Sequence, residues 1–97
     1  MAKVDVIGVT KHPKERVTEA VERAVEARLR EIRASIEKVG DSLKDFEAKY
    51  RMPTEVFYKK YLGGELEENW DFMEWRACKE ILEDLVEEKS LLEEIAN

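Results

Sequence analysis

Ninety-seven residues, 41% of them charged and with a formal charge of −6, describe one small acidic domain and argue against a nucleic-acid binder that works by neutralising phosphates. Residues 1–50 carry 11 Lys/Arg and 10 Asp/Glu, net +1, whereas residues 51–97 carry 6 and 13, net −7, so an electrostatically chosen partner of the C-terminal half should be basic. A domain of this size buries a modest fraction of its surface, which makes self-association an expectation.

The first twelve residues read as a short strand over KVDVIGVT, residues 3–10, or as an extended arm. Their longest run without a polar side chain is Val6 to Val9, too short for a signal-peptide core or a membrane span, so a soluble, cytoplasmic chain is expected. His12 beside Pro13 reads as a solvated residue, since no nucleophile or acid partner is identifiable for it.

Pro13 opens a long helix, and no proline recurs until Pro53. Between them Leu29, Ile32, Ile36, Val39, Leu43, Phe46 and Tyr50 alternate three- and four-residue steps, an a/d series that predicts a coiled-coil-like helix over about residues 13–51. Upstream the stripe drifts to Val17, Val21 and Val25, each four apart. Gly40 is the one blemish in this helix, costs about 1 kcal/mol relative to Ala in a helix interior, and allows a kink there. Met52 precedes a proline and is pushed out of helical geometry, which ends the helix.

A short helix follows over about residues 53–62, with Phe57 and Tyr61 on one face and Tyr58 and Leu62 beside them, stopped by Gly63 and Gly64. Phe57 and Tyr61 are read as core where three helices meet. The last helix, about residues 71–96, carries Trp75, Cys78, Leu82, Leu85 and Leu92 at a/d spacing, widened by Ile81, Val86 and Ile95. At its start, Asp71 reads as the N-cap, Glu74 as the reciprocal member of a capping box, and Trp70 with Trp75 as a hydrophobic staple.

Six of the eight aromatic residues fall within residues 57–75, and Phe72 and Met73 resist assignment to the core. They point roughly 140° and roughly 120° from the stripe centred near Leu85 and Leu92. Phe72, Met73, Tyr58 and the acids Glu67 and Glu68 are therefore the candidate partner-binding residues. The acidic fringe lacks a Glu-x-x-His pair, and one Cys with one His builds no zinc site, so no metal and no cofactor are expected. Cys78 alone also excludes an internal disulfide. No catalytic motif is present, and the chain is not expected to be an enzyme. Glutamine is absent and asparagine occurs only at Asn69 and Asn97, a composition that fits a thermophile and equally a protein of long exposed helices.

The stretch KYRMPTEVFYKKYLGGELEENWDFMEW resembles small prokaryotic antitoxins encoded beside toxins of the TumE type, in which a long charged helix ends in Tyr-Gly-Met, a short helix carries Glu-x-Phe, and Gly-Glu-Leu leads to Asp-Phe-x-x-Trp. Tyr50, Met52, Glu55, Phe57, Tyr61, Gly64, Glu65, Leu66, Asp71, Phe72 and Trp75 fit over about residues 46–85. Arg51 stands where the pattern has glycine, Pro53 where it has a capping Ser or Thr, and Glu67 and Glu68 where it has Gly-Asp. The resemblance implies a non-catalytic protein that binds and neutralises a toxin.

The reading is thus an all-α protein, with an arm or strand over residues 1–12 and a helical domain over 13–97 whose last helix folds back on the first. A first helix of some 39 residues outreaches a last helix of some 26 by nearly 20 Å, and the excess, with Val17, Val21 and Val25, is the expected homodimer interface. The competing function is a homo-oligomeric coiled-coil scaffold with no toxin partner. DNA binding is disfavoured: Arg28, Arg30 and Arg33 are its best local candidates, and Glu26 and Glu31 make them an ordinary salt-bridged surface.

Overall fold

The computed structural model describes residues 11–96, so the strand or arm expected over residues 3–10 lies outside the described residues. Among the described residues three helices make up the fold: α1 (Lys14–Tyr50), α2 (Thr54–Leu62) and α3 (Trp70–Ala96). α3 folds back along α1 as a hairpin, and α2 packs across its closed end, giving a rod with extents of 58 × 24 × 19 Å.

α1 starts where the Pro13 carbonyl accepts from the Arg16 and Val17 amides at 3.0 and 3.1 Å, and it runs through Gly40 unbroken. Every member of the a/d series from Leu29 to Tyr50 is buried or half-buried, with Leu29, Ile32 and Leu43 the most enclosed. Charged pairs lace the seam on its wet side: Arg28 donates to both Glu88 oxygens at 2.9 and 3.0 Å, Arg33 to Glu93 at 3.3 Å, and Lys49 to Asp71 at 2.6 Å. Exposed pairs of this kind each stabilise by less than about 1 kcal/mol, so the seam is held by apolar burial and the ions fix its register.

Glu47 organises the turn into α2 twice. Its carbonyl accepts the Met52 amide at 3.2 Å, closing the last turn of α1, and its carboxylate accepts the Thr54 amide at 2.7 Å, satisfying a free donor at the start of α2. The closure requires Arg51 at φ 55°, ψ 49°, the left-handed region in which a residue with Cβ is strained by about 1–2 kcal/mol. Arg51→Gly should therefore raise stability by about 0.5–1 kcal/mol once the extra freedom of glycine in the unfolded chain is subtracted. A lower urea midpoint in that variant would contradict this reading of the turn.

The end of α2 follows the sequence signal, with the Gly63 amide on the Lys59 carbonyl at 3.0 Å and Gly64 at φ 73°. The start of α3 corrects it. Asn69, not Asp71, caps the helix: its Oδ1 accepts the Phe72 amide at 2.7 Å and its carbonyl the Met73 amide at 3.1 Å. Asp71 lies in the first turn with its carboxylate turned to Lys49 and to the Tyr50 hydroxyl of α1. The capping box and the Trp70–Trp75 staple accordingly do not form, because a tertiary ion pair claims the aspartate and Trp70 points into solvent.

Trp75 is the centre of the core. It is fully buried, with its ring 3.9 Å from Phe57 at an interplanar angle of 3°, and Phe46 and Tyr50 stack on it at 5.6 and 5.8 Å. Its indole N–H donates to Thr54 Oγ1 at 3.0 Å, so the one polar atom of the ring is satisfied by the first residue of α2.

Candidate protein-binding face

The first three turns of α3 have two neighbours, α1 on one side and α2 on the other, which together enclose Trp75 and Lys79 and half-bury Phe72. At 100° per residue, the opposite side is formed by Trp70, Met73, Ala77 and Ile81, spaced three, four and four. All four are exposed: Trp70 to 82%, Met73 to 40% and Ile81 to 48%. The stripe runs about 16 Å along the helix. Beyond Ile81 the same spacing reaches Glu88, which pairs with Arg28 of α1, and Ile95, which walls a groove at the open end, so the outer face ends near Ile81.

Of the residues singled out from sequence, Met73 belongs to this face. Phe72 does not. Its ring packs within the chain against Tyr50 at 5.0 Å, Phe57 at 5.3 Å and Trp75 at 6.4 Å, which overturns the expectation that it lies outside the intramolecular core. The downstream stripe at Leu85 and Leu92 reports the direction of α1 alone, whereas at Phe72 the enclosed arc also includes the side covered by α2. Tyr58 is half-buried and held within the chain, its hydroxyl donating to Glu80 at 2.8 Å and its ring lying 4.3 Å from Lys79 Nζ. Glu67 and Glu68 are exposed in the connection before α3, and Glu68 accepts from the Tyr61 hydroxyl. Trp70, Ala77 and Ile81 are the residues that sequence reasoning missed; their 3-4-4 spacing opposite Trp75 was the available signal.

At the open end, every residue of α1 from Lys14 to Ala24 is exposed. Val17 and Val21, 44% and 51% exposed, and half-buried Val25 face a groove closed on one side by Ile95 and Ala96. This is the second uncovered apolar area of the hairpin.

The titratable groups are tuned toward charge pairing. Hydrogen bonds from Lys49 and the Tyr50 hydroxyl hold Asp71 below its usual range, and Arg28 and Lys89 do the same for Glu88 and Glu93. Buried Lys79 is raised by its bond to Glu83, and Glu80 raises the Tyr58 phenol. Burial pushes the half-buried Cys78 thiol up, with Glu74 adding to the effect, which leaves little thiolate for nucleophilic chemistry. Among the described residues no group of three or more His, Cys, Asp or Glu side chains is placed to hold a metal ion, and no helix is long and apolar enough to cross a membrane.

Asp71, Glu88 and Glu93 have folded-state pKa values below their ordinary 3.8 and 4.5, so their contribution to stability is present above those values and is lost as pH falls through the lower folded ones. The thermal midpoint should decline below about pH 4.5. The combined variant Asp71→Asn, Glu88→Gln, Glu93→Gln should show a shallower decline; an unchanged slope would place the acid sensitivity elsewhere.

The chain matches no protein-family model, no curated protein and no solved structure.

Proposed function

We propose that this protein is a non-catalytic protein-binding module of the cytoplasm, an antitoxin-like homodimer that captures and neutralises a basic toxin. The observation that carries the reading is the Trp70–Met73–Ala77–Ile81 face, a set of large apolar groups left outside an aromatic core that is complete without them. Tryptophan and methionine are enriched at interface centres, and a rigid helix presents them at little entropic cost. The residues that carry the antitoxin resemblance are consistent with a shared scaffold, since Tyr50, Phe57, Tyr61, Leu66, Phe72 and Trp75 all belong to that core.

Coexpression with the product of the adjacent reading frame tests the reading. Growth inhibited by the neighbour should be restored, and the two proteins should elute together. A neighbour that stays toxic, or that forms no complex, overturns it. The exposed Val17 and Val21 favour a second reading, a coiled-coil scaffold that only self-associates. Sedimentation equilibrium bears on both, because a monomer at tens of micromolar removes the dimer and the scaffold together.

A further inference from the structure

The outer face of α3 has a chemistry that selects its occupant. Its apolar centre is Trp70, Met73, Ala77 and Ile81, and its surroundings are mostly acidic: Glu67, Glu74 and Asp84 make no ion pair among the described residues, and Glu80 lies alongside, paired with Arg76 at 3.8 Å. Trp70 alone offers on the order of 200 Å² of surface and enters none of the aromatic pairs of the core. We propose that this face docks a helical segment of the partner that carries an apolar stripe bordered by lysine or arginine.

Three features lead there. A straight line of side chains at 3-4-4 spacing over about 16 Å is the shape that a second helix packs against, its ridges entering the spaces between successive turns. The acidic border attracts basic flanks and repels acidic ones. A second copy of α3 is a poor occupant: even the antiparallel register that sets Trp70 against the partner's Ile81 and Met73 against its Ala77 crowds two acidic borders together. Anionic lipid and nucleic acid are repelled for the same reason.

The proposal rests on the protein-binding reading above, and its test is separate. Two helical peptides long enough to span the stripe share one leucine-alanine face; one has lysine and arginine flanks, the other glutamate flanks. In the Trp75→Phe variant, Trp70 is the only tryptophan and reports its own exposure by acrylamide quenching. The basic peptide should protect Trp70, bind more weakly as salt rises, and lose about tenfold or more in affinity with Trp70→Ala in an otherwise wild-type chain. Ile81→Ser, which leaves the core untouched, should weaken it in the same direction. Equal binding of both peptides, binding of neither, or binding that ignores Trp70→Ala in a chain with unchanged circular dichroism overturns the assignment. Restored growth by Trp70→Ala in the coexpression experiment would remove this face while leaving the antitoxin reading standing; failure of the wild type to restore growth would remove that reading, with the peptides still deciding the face.

Discussion

Trp75→Ala should lower the free energy of unfolding by about 3–5 kcal/mol, while Trp70→Ala, one and a half turns away on the same helix, should change it by less than about 0.5 kcal/mol. The contrast follows from position alone. Trp75 is fully buried, stacks on Phe57 at 3.9 Å and uses its N–H on Thr54; removing it leaves a cavity at the junction of all three helices and an unpaired threonine hydroxyl. A domain of this size has about 5–15 kcal/mol of stability, so the loss threatens the fold itself. Trp70 is 82% exposed, and its removal opens no cavity. Urea titrations of the two variants at one temperature check both values, and comparable midpoints would mean that the phase of α3 is wrong.

Phe72→Ala should also destabilise, by about 2–3 kcal/mol, less than a fully enclosed phenylalanine because the ring is only half-buried. It bridges Tyr50 of α1, Phe57 of α2 and Trp75 of its own helix, so its loss loosens the closed end of the hairpin. Weaker partner binding in this variant would follow from that loosening. A Phe72→Ala protein with an unchanged urea midpoint would restore the sequence expectation that this ring is free for a partner.

The two variants mark where the sequence was legible. The long helix and its seam could be read because one neighbour, α3, covers α1 over most of its length, and a single neighbour selects a single stripe: Leu29 through Tyr50 keep strict a/d steps and are all enclosed. α3 has one neighbour after about Glu83 and two before it. Its enclosed arc shifts between Leu85 and Phe72, and the drift of about 20° per heptad between a straight helix and a 3.5-residue repeat adds to the shift. A wheel centred on the downstream leucines therefore misplaces Phe72. The misassigned cap has a different cause: Asn69 and Asp71 are both good caps by residue type, and what separates them is the pairing of Asp71 with Lys49 and Tyr50, which are twenty-odd residues distant in sequence. The left-handed Arg51 carries no local signal at all, since neither glycine nor asparagine marks it.

The face itself was hidden by the staple assignment, which gave Trp70 a structural role that the helix start denies it. With Trp70 exposed and Phe72 packed against the core, the two residues exchange the positions read from sequence, and the acidic residues stay where the charge asymmetry of the chain placed them.

Acrylamide quenching of Trp70 in the Trp75→Phe variant, followed as a function of protein concentration and then with the neighbouring gene's product added, tests most directly whether the outer face of α3 is kept open for a partner. Quenching should stay close to that of a free indole as the protein is concentrated, even where sedimentation reports a dimer through Val17, Val21 and Val25, and should fall when the partner is added. Protection of Trp70 that grows with protein concentration alone would mean that self-association consumes the face, and would contradict the binding role assigned to it.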